Sequence, residues 1–182
     1  MALALVALAG AACSGAGSAI ATPIGAGEVT QAAAAALLTV SDIGEVGGET
    51  GGLDVSVSDR RADAEAVNPA QVQKIESWYV IAFQQGSSGP ALFFSIIDFD
   101  SAQSAHSHMD RVESGQGYTP IEPPISNRAT IAIPREAGVG SALIFASGDR
   151  VVLILTTLGD GDTTLADAAQ VTALARLVAG RL

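Results

Sequence analysis

Only two histidines occur in the 182-residue chain, and they lie two apart in Ala-His-Ser-His-Met-Asp (105–110). His106, His108 and Asp110 are the residue types that hold a divalent metal and activate its bound water for hydrolysis. Their spacing opposes that chemistry. On a helix, positions 106 and 108 stand about 160° apart around the axis, on opposite flanks of any buried stripe, so one ion does not take both. A metal-assisted hydrolase using His106, His108 and Asp110 therefore requires residues 100–114 to be non-helical, and it is the alternative reading. His106 and Asp110, four apart, suit a solvated helical ion pair instead. The aspartates Asp98, Asp100, Asp160 and Asp162 suggest calcium, but an EF-hand counted from Asp160 needs Glu at its twelfth position and meets Val171. Turn and cap duty explains all four. Cys13 is the sole cysteine, no Gly-x-Ser-x-Gly elbow occurs, and neither a Walker loop nor a Gly-x-Gly-x-x-Gly turn is present. No catalytic, metal or cofactor-binding residue is assigned, no cofactor is expected, and a non-enzymatic role is expected.

The elements around these residues alternate in period. Thr30 to Leu38 is an alanine-rich helix with Thr30 as cap, running through Val40–Ile43 into a glycine-rich stretch. Leu53, Val55 and Val57 alternate with polar residues and predict a half-exposed edge strand. Asn68, Pro69 and Gln71 form a compact helix start, predicting a short helix that ends near Ser77. Residues 78–83 and 91–99 are aromatic and β-branched and predict a hairpin. At Asp100 the period becomes helical, with Asp100 as cap, Gln103 at the capping-box position and Ala102, Ala105, Met109 and Val112 as the stripe. Residues 115–128 hold three prolines and predict an extended crossing, whose strip Tyr118 to Ile125 could also present a stiff surface to a partner. A strand near 130–133 follows, then a hairpin of 142–147 and 150–157 about Gly148-Asp149. Thr164 and Asp167 suggest a capping box for a last helix with Val171, Leu174, Leu177, Val178 and Leu182 on one stripe. Together these predict an α+β domain: one antiparallel sheet with helices packed on one face. Trp78, Ile81, Phe93, Ile97, Leu153, Leu155, Leu174 and Val178 are the candidate core.

Composition places this domain. The chain is 48% hydrophobic, 4% aromatic and 15% charged, with a formal charge of −10 and no basic cluster beyond Arg60-Arg61. That excludes a nucleic-acid groove, which needs a basic track. Residues 2–12 are an uncharged apolar run of about 16 Å as a helix, too short to span a bilayer and suited to a signal peptide. Gly10-Ala11-Ala12-Cys13 resembles the lipobox of bacterial lipoproteins, although Gly10 stands where Leu is usual and no cation precedes the run. The resemblance implies that Cys13 is diacylated and becomes the mature N-terminus. Ala19-Ile20-Ala21 supports a rival, simple secretion with cleavage after Ala21. The expected organisation is a signal peptide over 1–12, a lipidated Cys13 with a flexible tether over 13–27, and a single α+β domain over 28–182. Expected partners are the lipid bilayer, through acylated Cys13, and an envelope protein or a small ligand.

The hairpin, then Asp-Phe-Asp-Ser-Ala-Gln-Ser-Ala (98–105), then Gly-Asp-Arg-Val-Val (148–152) and the ending Ala-Arg-Leu-Val-Ala-Gly-Arg-Leu (175–182) carry a loose family likeness over residues 75–182. This order resembles small envelope lipoproteins and extracytoplasmic sensor domains of actinobacteria and similar bacteria. The resemblance implies a non-catalytic domain at the outer face of the cytoplasmic membrane, in a fold related to PsbP-like or kinase-sensor-like sheets, acting as a binding or sensing module.

Overall fold

The computed structural model describes residues 29–67, 69, 72–114, 119–126, 131–133 and 138–182. The expected leader, Cys13 and its tether lie outside the described residues, as do Asn68, Gln71 and Tyr118.

Strands β1 (Leu53–Asp59), β2 (Ile75–Gln85), β3 (Ala91–Phe99), β4 (Thr119–Pro120), β5 (Ile131–Ile133), β6 (Val139–Ser147) and β7 (Arg150–Thr157) form one sheet in the order β1-β2-β3-β7-β6-β5-β4. Every neighbouring pair is antiparallel. The predicted α+β class and antiparallel sheet are observed, and β1 is the edge that its alternation predicts.

Helices α1 (Gln31–Leu37), α2 (Val40–Glu45) and α5 (Ala168–Ala179) pack on one face. Thr30 caps α1 by accepting from the Ala33 amide, as predicted. The expected run-through into residues 40–43 is broken: Thr39 starts a new helix, its hydroxyl accepting from the Asp42 amide while Asp42 accepts from the Thr39 amide. α5 buries Val171, Leu174, Ala175 and Val178 against Phe94, Ile96, Phe145, Val152 and Ile154. Its cap is Asp167 with Gln170 and not Thr164, because the reciprocal bonds form one turn later.

A second, smaller helical layer lies on the opposite face. α3 (Arg61–Val67) and α4 (Ala102–Glu113) pack there, with Ala64, Ala105, Met109 and Val112 meeting Ile97, Phe99, Ile144, Ala146 and Val151. α3 was not legible in the sequence, since it buries no residue. The short helix expected from Asn68 does not reach Ser77: residues 73–74 turn and β2 already begins at Ile75. At α4 the cap is Ser101, which accepts from the Ser104 amide; Asp100 instead accepts from the Ser101 hydroxyl.

Of the candidate core, Ile81, Ile97, Leu174 and Val178 are buried, while Trp78, Phe93, Leu153 and Leu155 are only half-buried. The reason is strand parity: Val152 and Ile154 face α5, which turns Leu153 and Leu155 to the other side. The β6–β7 hairpin turns at Gly148, whose φ of +62° favours glycine. At its far end the register shifts between Val139 and Ala142, and the Thr156 hydroxyl fills the irregularity by accepting from the Ser141 amide at 2.8 Å.

Candidate functional site

α4 holds both histidines where its amphipathic pattern directs them. His106 is exposed, and His108 lies half-buried on the other flank, its ring tilted over Phe99 at 5.4 Å between centroids. Burial, aided by the nearby Arg111 charge, depresses the His108 pKa below its ordinary 6.5. Because residues 102–113 are helical, the condition on which a metal site at His106, His108 and Asp110 rested is not met. Among the described residues no group of three or more His, Cys, Asp or Glu is placed to hold a metal ion.

The aspartates have separate structural tasks. Asp98 ends β3 opposite Arg150 of β7 and is buried with it. Its carboxylate accepts from the Arg150 Nε at 3.3 Å and from the Val29 amide at 3.1 Å, which ties the segment before α1 to the middle of the sheet. Burial pushes the Asp98 carboxyl above its usual range, against the Val29 hydrogen bond and the Arg150 charge. Asp160 and Asp162 sit in a single exposed 3₁₀ turn.

Sequence reasoning missed Asp42 and Arg181. The Arg181 guanidinium clasps the Asp42 carboxylate through two 2.8 Å bonds and also donates to the Leu37 carbonyl. Burial alone would raise the Asp42 carboxyl; the hydrogen bonds from Arg181 and Thr39 outweigh it and hold the carboxyl below its ordinary value. The partners lie 139 residues apart, so no local signal marks them.

The proline strip is a packed crossing. Ile121 and Ile125 press on the main core, and the Pro123 carbonyl accepts from Arg176 of α5 at 2.8 Å. It therefore supports the sheet through Ile121, Ile125 and the Pro123 carbonyl, while Thr119, Pro120, Glu122, Pro123 and Pro124 remain exposed.

The surface with binding character is the sheet's second face beyond α4. Two cross-strand rows run there: Val80, Ser95, Leu153 and Ile144, then Ala82, Phe93, Leu155 and Ala142. Val80, Ala82, Phe93 and Leu155 are half-buried and belong to neither core cluster. Beside them the Trp78 indole donates to the Ser95 hydroxyl at 3.0 Å, which locks the ring without adding a charge. The arrangement offers apolar area to a ligand; the two rows continue through Ser58 and Ser56 of β1, and among the described residues no cation stands in them.

No protein-family model matches the sequence, and no curated protein matches it. Among solved structures, the chain is similar to the extracellular domain of PknH from Mycobacterium tuberculosis. The likeness has a TM-score of 0.54 at 11% identity and covers 88% of this chain and 97% of that one. It establishes a shared fold.

Proposed function

We propose that this protein is a binding or sensing module of the bacterial cell envelope, held at the outer face of the cytoplasmic membrane by diacylated Cys13. The observation that carries the reading is the likeness to an extracellular domain across nearly its whole length, combined with an apolar leader closing on Cys13. The resemblance of residues 75–182 to small envelope lipoproteins and PsbP-like sheets belongs to the same proposal and rests on the sequence. Two acyl chains anchor stably without a basic patch, and this chain of charge −10 has none. The ligand that suits the second face is a small, largely apolar envelope molecule, because Val80, Ala82, Phe93 and Leu155 supply area and no cation.

The full chain, expressed in an actinobacterial host, tests anchoring. Wild type partitions into the detergent phase and begins at lipidated Cys13, whereas Cys13→Ser moves to the aqueous phase. Identical partitioning with a mature chain beginning at Thr22 would replace lipidation with simple secretion. Native mass spectrometry of the membrane-extracted protein tests the ligand: a recurrent small-molecule adduct is expected, and Phe93→Ser should remove it. An adduct unchanged in that variant would place the binding surface elsewhere.

A further inference from the structure

The two edges of the sheet are unlike. On one side the last strand is the two-residue Thr119–Pro120, and proline cannot donate to a further strand. On the other, β1 makes seven consecutive register pairs with β2, without bulge, proline or lysine. These are among the devices by which natural sheets blunt their edges, and the charges that β1 itself carries are Asp54 and Asp59. The Arg60 amide donates to the Trp78 carbonyl, continuing the β1–β2 ladder. Alternation along an antiparallel ladder then turns the backbone groups of Leu53, Val55, Val57 and Asp59 outward. Among the described residues nothing outside β2 bonds to the backbone of β1. Val55 on this strand is 51% exposed.

The strand is also charge-complementary to itself. We propose that β1 pairs antiparallel with β1 of a second copy about a two-fold axis at Val57, joining two sheets edge to edge. In this register Asp54 of each chain faces Arg60 of the other, and Ser56 faces Ser58. Centring on Ser56 would set Asp54 opposite Ser58, and centring on Val55 would set it opposite Ser56; only the Val57 register meets charge with charge at both ends. Arg60 is available for the exchange because its present partner Asp63, at 3.2 Å, is an exposed neighbour three residues on, a kind of pair that contributes little. A two-fold axis normal to the sheet keeps each helical layer on its own side, so the helices of the two copies do not cross. The −10 charge of each chain opposes encounter, and physiological salt screens that repulsion. This association does not depend on lipidation or on the apolar second face.

The test is sedimentation of the full chain in detergent at physiological salt, with circular dichroism as the folding control. Wild type should show a concentration-dependent dimer. Val55→Glu, which in this register faces Asp59 of the other copy, or Asp54→Arg, which faces Arg60, should weaken it about tenfold, because like charges then stand directly opposite one another. Asp54→Arg combined with Arg60→Asp should restore it. Register is read by disulfides: Ser56→Cys mixed with Ser58→Cys should cross-link, since directly opposed residues in a non-hydrogen-bonded pair lie about 4.5 Å apart between Cα atoms. A wild-type chain that stays monomeric, or a dimer indifferent to Val55→Glu, would overturn edge pairing. Preferential cross-linking of Ser56→Cys with itself would overturn the Val57 register.

Discussion

The Asp42–Arg181 clasp shows how a single carboxylate can join distant parts of the chain. Asp42 accepts from Thr39 and from both terminal nitrogens of Arg181, so α2 and the C-terminal residues share one charge-assisted joint. Its folded pKa lies below the ordinary 3.8, so its contribution is complete above that value and is lost as pH falls through the folded pKa. Arg181→Met should cost about 2 kcal/mol at neutral pH, less than a fully buried pair loses, and the cost should shrink below pH 3.8 in acid-titrated chemical denaturation. His108 titrates in a different window. With its folded pKa depressed below 6.5, the unfolded chain takes up the proton first, so stability falls as pH drops below 6.5. The slope contributed by one such group is at most about 1.4 kcal/mol per pH unit, and His108→Leu should flatten it. A pH profile unchanged in that variant would show that His108 is as solvated in the folded protein as in the unfolded chain.

At the scale of elements, strand parity decides what each side chain does. Ile154 is fully buried beneath α5, while its neighbour Leu155 is half-buried on the other face. Ile154→Ala should therefore cost about 2–5 kcal/mol in equilibrium unfolding, and Leu155→Ala clearly less. Equal losses would mean that the second face is as tightly packed as the first. The start of α5 depends on a reciprocal pair, the Asp167 carboxylate on the Gln170 amide and the Gln170 carbonyl on the Asp167 amide, at 2.9 and 2.8 Å. Asp167→Ala should lower stability by about 1 kcal/mol. Gln170 also donates to the Gly47 carbonyl, so Gln170→Ala should loosen the loop after α2 as well, visible as faster amide exchange there.

In the whole molecule the last helix closes the main core. α5 supplies Val171, Leu174, Ala175 and Val178 to it, and Arg181 ties the segment after α5 to Asp42. A chain ending at Asp167 would expose this face and should lose the cooperative unfolding transition, as read by circular dichroism; retention of a sharp transition would show that the sheet folds without α5. The sequence alone determined the class of fold. Alternation in Leu53–Val57, the aromatic and β-branched runs about Gly148 and the helical stripes from Ala102 and Val171 are local patterns, and local patterns specify elements. It also marked His106 and His108 as flanks of one helix, since helical angle depends only on spacing. Tertiary structure alone decided which face each apolar residue of β3 and β7 takes, because strands apolar on both sides carry no polar alternation to orient them. It likewise decided the pairing of Asp42 with Arg181 and of Asp98 with Arg150 and Val29. Those bonds join residues 139, 52 and 69 positions apart, and only the folded chain brings their charges and amides within reach of one another.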